Sequence, residues 1–368
     1  MKVLITTGVY QIGGPATYTR LLQDNLPKHD IGVDFLTFDQ VRHLPKIVRH
    51  LFFLFKILAK HKDFDVIFAQ DPVSVGLPSL LAVKLLRKKL VIRFVGDYAW
   101  EQGRQRFGVM DSLDDFQHKR YGWRVELFRS IEIFVLNQAD RIITPSIYFG
   151  AVAKNLVKNP EKVQPIYNGI DTSSPLVDRE TARQRVHLDN DLLILFSAGR
   201  LVNWKGYDAL FKVLVDLIKE NKKYRLFIAG DGPDEERLKK ISHDLGLDNY
   251  VIFLGRLKRE ELMVYLQAAD IFVLNTGFES FSFQVVEAMY YGVPVITTNL
   301  CNLPEIITDK ENGLLVEYNN VEQIKESVHR LLSDDNFRLS IVAQAKNRAA
   351  YFAIDKTAAS VISLLKNL

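Results

Sequence analysis

The sequence predicts an α/β protein of two Rossmann-like, doubly wound parallel-sheet domains facing each other across a cleft. Three observations carry this. At 368 residues the chain is longer than one ordinary core supports. Short continuous runs of Val, Ile, Leu and Phe alternate with segments of helical period, as expected for parallel strands covered on both faces. The alternation also runs twice, broken by a polar stretch near 171–190. The first series of strands is read at 2–7, 33–37, 65–69, 90–95, 141–144 and 163–167. The second is read at 192–198, 225–229, 250–254, 270–274, 293–297 and 314–316, with helices at 206–220, 234–245, 259–268 and 321–332. This places a first domain at 1–172 and a second at 173–354, with a terminal helix 355–367 expected to pack back on the first. Ligands of such sheets bind at the carboxyl ends of the strands, so the cleft is the expected site.

Composition narrows the class. With 48% hydrophobic and 25% charged residues and no low-complexity tract, the chain reads as a soluble, enzyme-like protein. A single cysteine, Cys301, rules out a disulfide framework within the chain. Met1–Gly8 holds too short an apolar run for a signal peptide, and no window reaches the roughly 20 apolar residues of a membrane span. A cytoplasmic protein is expected. Residues 1–172 hold 24 Lys and Arg against 17 Asp and Glu, and the remainder 24 against 27. The basic surplus of the first half points to an anionic partner. Nucleic acid finds no zinc-ligand set or RNA-binding signature in support, so an anionic membrane at the inner face of the cell is the better expectation. In the helix expected at 42–60, Leu44, Ile47, Val48, Leu51, Phe55 and Leu58 read as a core stripe. Phe53 falls opposite, among Arg42, Lys46, Arg49, Lys56 and Lys60. A bulky apolar residue ringed by cations suits peripheral binding to a bilayer; the plainer reading is a solvated helix with one exposed Phe.

The chemistry lies at strand ends. The strand to Ala198 leads into Gly199-Arg200 and on to Lys205-Gly206, offering two cations to one anionic group, with glycines that allow close backbone approach. A solvated loop is the alternative. Ala229-Gly230-Asp231-Gly232-Pro233 either shapes a nucleotide pocket or is an ordinary turn. After strand 270–274 come Glu279 and Glu287, with seven residues between them, on a segment ended by Gly292 and Pro294. Eight residues of helix span about 12 Å. That exceeds the roughly 6.5–9.5 Å of the wider glycosidase carboxyl pair. The two carboxylates therefore read as a ruler for an extended ligand. Ser280 or Ser282 is the expected N-cap, and the free N–H groups of the first turn make an anion site for a diphosphate that Arg200 and Lys205 also hold. Glu287 would meet one end of the ligand and Glu279 the other. The plain readings are an exposed loop residue for Glu279 and a solvated helix face for Glu287. Against the second, Val285, Val286, Ala288 and Met289 bury the helix, and a buried Glu needs a partner.

Together with Asn168-Gly169-Ile170-Asp171 and Asn312-Gly313-Leu314-Leu315-Val316, this set resembles the family 4 glycosyltransferases of the GT-B fold. The resemblance covers nearly the whole chain and is strongest over 166–317. It implies retaining transfer of a hexose-type sugar from a nucleotide-sugar donor to a glycan or lipid-linked acceptor, in polysaccharide, lipopolysaccharide or glycolipid synthesis, with no cofactor and no metal. Arg200 and Lys205 would hold the donor diphosphate, and Glu287 the ribose hydroxyls. Glu279, Ser280 and the backbone of Phe281 and Ser282 would contact the donor sugar. Gly199 and Gly230 would line the donor pocket, the base would lie near Gly255-Arg256-Leu257, and the Gly13-Gly14 loop would close over the donor. Fixed cations aimed at the leaving phosphate can replace a metal, and no Asp-x-Asp pair stands at a strand end.

This chain departs from the family pattern in carrying Ser282 where many members have Gly. It also lacks a Gly-Gly before Pro304-Glu305 in Cys301-Asn302-Leu303-Pro304-Glu305. Asp97, in Gly96–Glu101, stands where many relatives place a His, and reads as a ligand for a substrate hydroxyl or as a turn residue. Residues 102–121, with Arg104, Arg106, His118, Lys119 and Arg120, read as an acceptor-side lid, being long for a loop. The rival functions are a sugar-nucleotide epimerase and an inactive nucleotide- or glycan-binding subunit. A nicotinamide-dependent oxidoreductase is disfavoured because Gly8 and Gly13-Gly14 lack the Gly-x-Gly-x-x-Gly spacing.

Overall fold

The computed structural model describes residues 1–8 and 14–368, without the side chains of 14–17, 46 and 47. It divides into unit 1, Met1–Gly169 with Ile354–Leu368, and unit 2, Ile170–Ala353.

Unit 1 begins β1 (Lys2–Thr7), α1 (Gly14–Asn25), β2 (Gly32–Thr37), α2 (Lys46–Ala59), β3 (Val66–Ala69) and α3 (Gly76–Leu86). It continues with β4 (Lys89–Arg93), α4 (Tyr98–Arg106), α5 (Leu113–His118), α6 (Trp123–Gln138), β5 (Arg141–Thr144), α7 (Ile147–Leu156) and β6 (Val163–Pro165). The strands form one parallel sheet in the order β2-β1-β3-β4-β5-β6. The connection from β1 to β2 steps one way along the sheet, and those from β2 onward step the other. Right-handed crossovers therefore put α1 on one face and α2, α3 and α6 side by side on the opposite face.

Unit 2 begins α8 (Arg179–Arg185), β7 (Leu193–Ala198), α9 (Tyr207–Glu220), β8 (Tyr224–Ala229), α10 (Glu235–Asp244), β9 (Val251–Gly255) and α11 (Arg259–Ala268). There follow β10 (Ile271–Leu274), α12 (Phe283–Tyr291), β11 (Val295–Thr298), α13 (Leu303–Ile306), β12 (Leu314–Val316), α14 (Val321–Ser333) and α15 (Asp335–Ala349). Its parallel sheet runs β12-β11-β10-β7-β8-β9. The last helix, α16 (Ile354–Lys366), returns to unit 1, where Val361, Leu364 and Leu365 share a core with Val3, Ile5, Tyr18 and Leu22. The units meet at Gly169/Ile170 and Ala353/Ile354, where sequence placed the boundaries at 172/173 and 354/355.

Two expectations fail, the first on burial. Phe53 is fully buried, 5.2 Å from the Phe38 ring, and cannot be the exposed apolar residue of α2. The residues assigned to the core stripe include the exposed ones: Val48, Leu51 and Phe55, joined by Phe52. Helical period marks which residues share a face, and it is silent on which of two apolar faces meets the sheet. The Ile47 and Lys46 side chains lie outside the described residues.

The second failure is the long polar loop at 102–121, about half of which belongs to α4 and α5. α4 and α5 are capped by Asp97 and Ser112. The turn between them is pinned from within by Trp100 Nε1 to the Asp111 carbonyl (3.1 Å) and by Arg104 to the Met110 carbonyl (2.8 Å). Local capping residues, Asp97 and Ser112, were the legible signal.

Asp97 itself is buried. It accepts from the Trp100 N–H (2.8 Å) and from Gln117 (2.8 Å), and is hydrogen-bonded to the buried Glu132 carboxyl. Burial, and after it the Asp97 charge, raises the Glu132 pKa well above the usual 4.5. An acid whose folded pKa is raised keeps a proton that the unfolded chain releases. Its contribution is thus fully present below about pH 4.5 and is lost as pH rises toward the folded pKa. Wild type should lose up to about 1.4 kcal/mol per pH unit more than Glu132→Gln across that window. Urea unfolding at a series of pH values checks this; parallel profiles for the two proteins would contradict it.

Candidate functional site

The candidate residues of unit 2 gather where β7, β8, β9 and β10 end. Three of these ends are laced backbone to backbone. Gly199 N donates to Ala229 O (2.9 Å), Leu201 N to Asp231 O (2.9 Å) and Gly230 N to Gly255 O (2.8 Å). Gly230 has φ +138°, and a Cβ there would lie 1.9 Å from the Gly199 carbonyl oxygen, so no side chain is tolerated. That is the physical reason for the Gly-x-Gly turn whose purpose the sequence left open.

A second knot joins the Lys205 loop to the loop after β10. Gly277 N donates to Trp204 O (2.7 Å), and Asn275 Nδ2 donates to Gly206 O (2.8 Å) and Asn319 Oδ1 (2.9 Å). Gly206 has φ +53° and lies so close to Asn275 that a Cβ would sit 2.2 Å from its amide nitrogen. The knot brings Lys205 and Glu279 together as an ion pair, their side chains only 11% and 13% exposed. Arg200 stands exposed at the mouth of the same loop and makes no ion pair with a described residue. An exposed guanidinium and a nearly buried ammonium on one loop suit an anion carrying more than one charge.

α12 starts at Phe283, with Ser282 as its N-cap accepting from Val285 N (3.4 Å). Glu279 therefore precedes the helix, and the separation of the two carboxylates is not the rise of one continuous helix. Only the step from the cap to Glu287 is helical. Ser280 is half-buried; Phe281 is buried, 5.6 Å from Phe283 and 5.7 Å from Phe352. Gly292 closes the helix with φ +78°, its N–H reaching Ala288 O and Met289 O.

Glu287 is only 3% exposed. The partner that a buried Glu requires is Arg259, which the sequence reading missed. Its Nη1 lies 2.7 Å from Glu287 Oε1, its Nη2 donates to the Asp171 carbonyl (2.7 Å) and its Nε lies 3.3 Å from the Asp171 carboxylate. Burial raises the Glu287 pKa and Arg259 opposes the rise. The chain thus ties Asp171 of the Asn-Gly-Ile-Asp motif to α11 and α12 through one guanidinium. No spacing rule links residues 171, 259 and 287, which is why only three-dimensional structure reveals the latch.

Other expected residues fall out as follows. Arg256, at the end of β9, is an exposed residue paired with Asp231, and Leu257 is half-buried beside it. Asn302 is fully buried with both polar atoms of its side-chain amide unpartnered, just beyond β11. An unmet buried amide costs about 1–3 kcal/mol unless a ligand or water meets it, and this marks Asn302 as a further candidate. Asp97 belongs to unit 1 and serves there as the N-cap of α4. Gly13 lies outside the described residues and Gly14 opens α1. Among the described residues no cluster of three His, Cys, Asp or Glu is placed to hold a metal, and no helix is long and apolar enough to cross a membrane.

Comparisons with known proteins bear on this geometry. Residues 12–174 match the model of Glycosyltransferase Family 4, and residues 178–348 that of Glycosyl transferases group 1. An uncharacterized glycosyltransferase of Methanocaldococcus jannaschii is 30% identical over 223 residues, 59% of this chain and 57% of that protein. The fold is shared end to end with sucrose-phosphate synthase of Thermosynechococcus elongatus, at a TM-score of 0.82, 20% identity and coverage of 100% and 99%. It is shared equally with Anabaena HepE, solved with UDP and glucose, at a TM-score of 0.80, 19% identity and full coverage of both chains. With two glycosyltransferase models on successive stretches and this fold over its whole length, the chain belongs to the glycosyltransferases of the GT-B type.

Proposed function

We propose that the protein moves a hexose-type sugar, with retention, from a nucleoside diphosphate sugar to a glycan or lipid-linked acceptor in polysaccharide, lipopolysaccharide or glycolipid synthesis. The observation that carries the reading is the nearly buried Lys205–Glu279 pair at strand ends, with the exposed Arg200 five residues away on the same loop. In this reading the donor diphosphate recruits Lys205 and Arg200, and the α12 N-terminus capped by Ser282 adds oriented N–H dipoles. Lys205 then serves both phosphate and Glu279, and the Glu279 carboxylate accepts from a donor-sugar hydroxyl. Glu287, oriented by Arg259 at one oxygen, accepts from the ribose hydroxyls with the other.

As the anomeric C–O bond breaks, its electron pair passes to the β-phosphate oxygen. The acceptor hydroxyl oxygen bonds to the anomeric carbon on the same face and its proton passes to the departing phosphate. Charge growing on that phosphate is met by fixed cations, which stabilise the transition state more than the ground state. The same cations do the work of a divalent metal, so transfer should continue within about 2-fold of its rate after exhaustive chelation with EDTA. Loss of activity that added Mg²⁺ or Mn²⁺ restores would overturn metal independence.

HepE is recorded with UDP, which supports uridine nucleotides as the first to test. Thermal-shift titration with a panel of nucleoside diphosphates should single one out, since a ligand of the native state raises the melting temperature with concentration. Mass spectrometry then follows the donor with and without candidate acceptors. Release of nucleoside diphosphate with an altered free sugar and no acceptor product would favour an epimerase. Absence of binding by every nucleotide would sink the donor site.

A further inference from the structure

We propose that unit 1 rests on an anionic lipid bilayer through the outer faces of α2, α3 and α6. These helices lie side by side on one face of the sheet, and each carries an outward apolar stripe at helical spacing. On α2 the stripe is Val48, Leu51, Phe52 and Phe55; on α3, Leu81 and Leu85; on α6, Trp123, Leu127 and Phe134. All are 41–71% exposed, which is a large apolar area for the outer layer of a parallel-sheet domain.

Charge identifies the occupant. From Gln40 through Lys62 the chain has six Lys or Arg and no acid, and from Pro72 through Gly96 it has five, of which Arg93 is buried, and no acid. Arg42, Lys62, Lys84 and Arg87 are exposed, and Lys89 is exposed but paired with Asp140 at 3.0 Å. The two acids of α6 do not offset them, because Glu126 is paired with Arg129 and Glu132 is buried. Arg124 extends the basic rim at the start of α6, lying 5.2 Å over the Trp123 ring, a pairing suited to the headgroup layer. Apolar stripes flanked by cations match an acyl–headgroup boundary of negative potential. A second copy of the chain is disfavoured, since an isologous contact would set cation against cation.

The inference stands apart from the donor chemistry and is tested without donor. The full chain is floated with vesicles of phosphatidylcholine alone and of phosphatidylcholine with phosphatidylglycerol. It should rise with the anionic vesicles only, and less so in high salt. Phe55→Glu/Leu85→Glu should cut partitioning by roughly 10-fold or more, and Lys62→Glu/Lys84→Glu should lower it selectively for anionic vesicles. Circular dichroism and the nucleotide thermal shift should stay as in wild type, separating loss of the surface from loss of the fold or of the donor site. No binding of wild type to anionic vesicles would overturn the proposal. So would full binding by Phe55→Glu/Leu85→Glu, or a dimer that this variant dissociates in a protein that ignores vesicles.

Discussion

Lys205→Ala and Arg200→Ala should each lower kcat by about 100-fold or more, because each removes a cation aimed at the departing phosphate. Their effects on stability should differ, and the difference comes from the structure. Arg200 is exposed and unpaired, so its loss should leave the melting temperature unchanged. Lys205 neutralises a Glu279 carboxylate whose side chain is only 13% exposed. Removing Lys205 strands that charge, at a cost of about 1–3 kcal/mol. Steady-state kinetics and thermal melts on the two variants measure both quantities. Near-normal kcat in either variant would contradict the assignment, and equal melting temperatures would contradict the ion pair.

How far the sequence reaches is clearest by comparing these residues. Arg200 and Lys205 stood out because a strand end flanked by Gly offers two cations to one anion, although a solvated loop has the same composition. The meeting of Lys205 with Glu279, 74 residues away, was legible only through the regular alternation that places every strand end on one edge of a sheet. The side chains that lace this edge, Asn275 and Asn319, left no trace, since a polar Asn after a strand resembles any turn residue. Arg259 was missed for the same reason: Lys258-Arg259-Glu260-Glu261 reads as a solvated helix start. A requirement for a partner to Glu287 followed from burial, but burial does not say which of the chain's cations supplies it.

The first domain shows the opposite failure. The period of α2 was read correctly and its orientation wrongly. A helix with two apolar faces gives the sequence no means to decide which lies inward, and Phe53 and Ile57 on one side differ little from Leu51 and Phe55 on the other. The turn that follows β2 decides it, by presenting Phe38 to Phe53. The exposed face gains its meaning only after neighbouring α3 and α6 are seen to carry stripes of their own.

Arg259→Ala should destabilise the protein by about 3 kcal/mol, the lower end of the range for breaking a buried ion pair, because the Arg259 side chain keeps 29% of its exposure while Glu287 keeps only 4%. The cost arises from the carboxylate left behind. Neutralising it should therefore restore most of the loss, and Arg259→Ala/Glu287→Gln should be more stable than Arg259→Ala alone. The two single substitutions and the double form a cycle whose coupling isolates the pair. In Arg259→Ala the Glu287 carboxyl, already raised by burial, loses the charge that opposed the rise. Its stability should accordingly decline more steeply than that of wild type as pH climbs from about 4.5. Activity should separate from stability. The double substitution recovers folding but not the oriented carboxylate, so donor KM should stay raised several-fold while kcat at saturating donor changes little. A double variant with wild-type donor KM would show that Glu287 is a structural partner of Arg259 and no ligand of the ribose. Denaturant unfolding together with donor titration of all four proteins distinguishes the two roles.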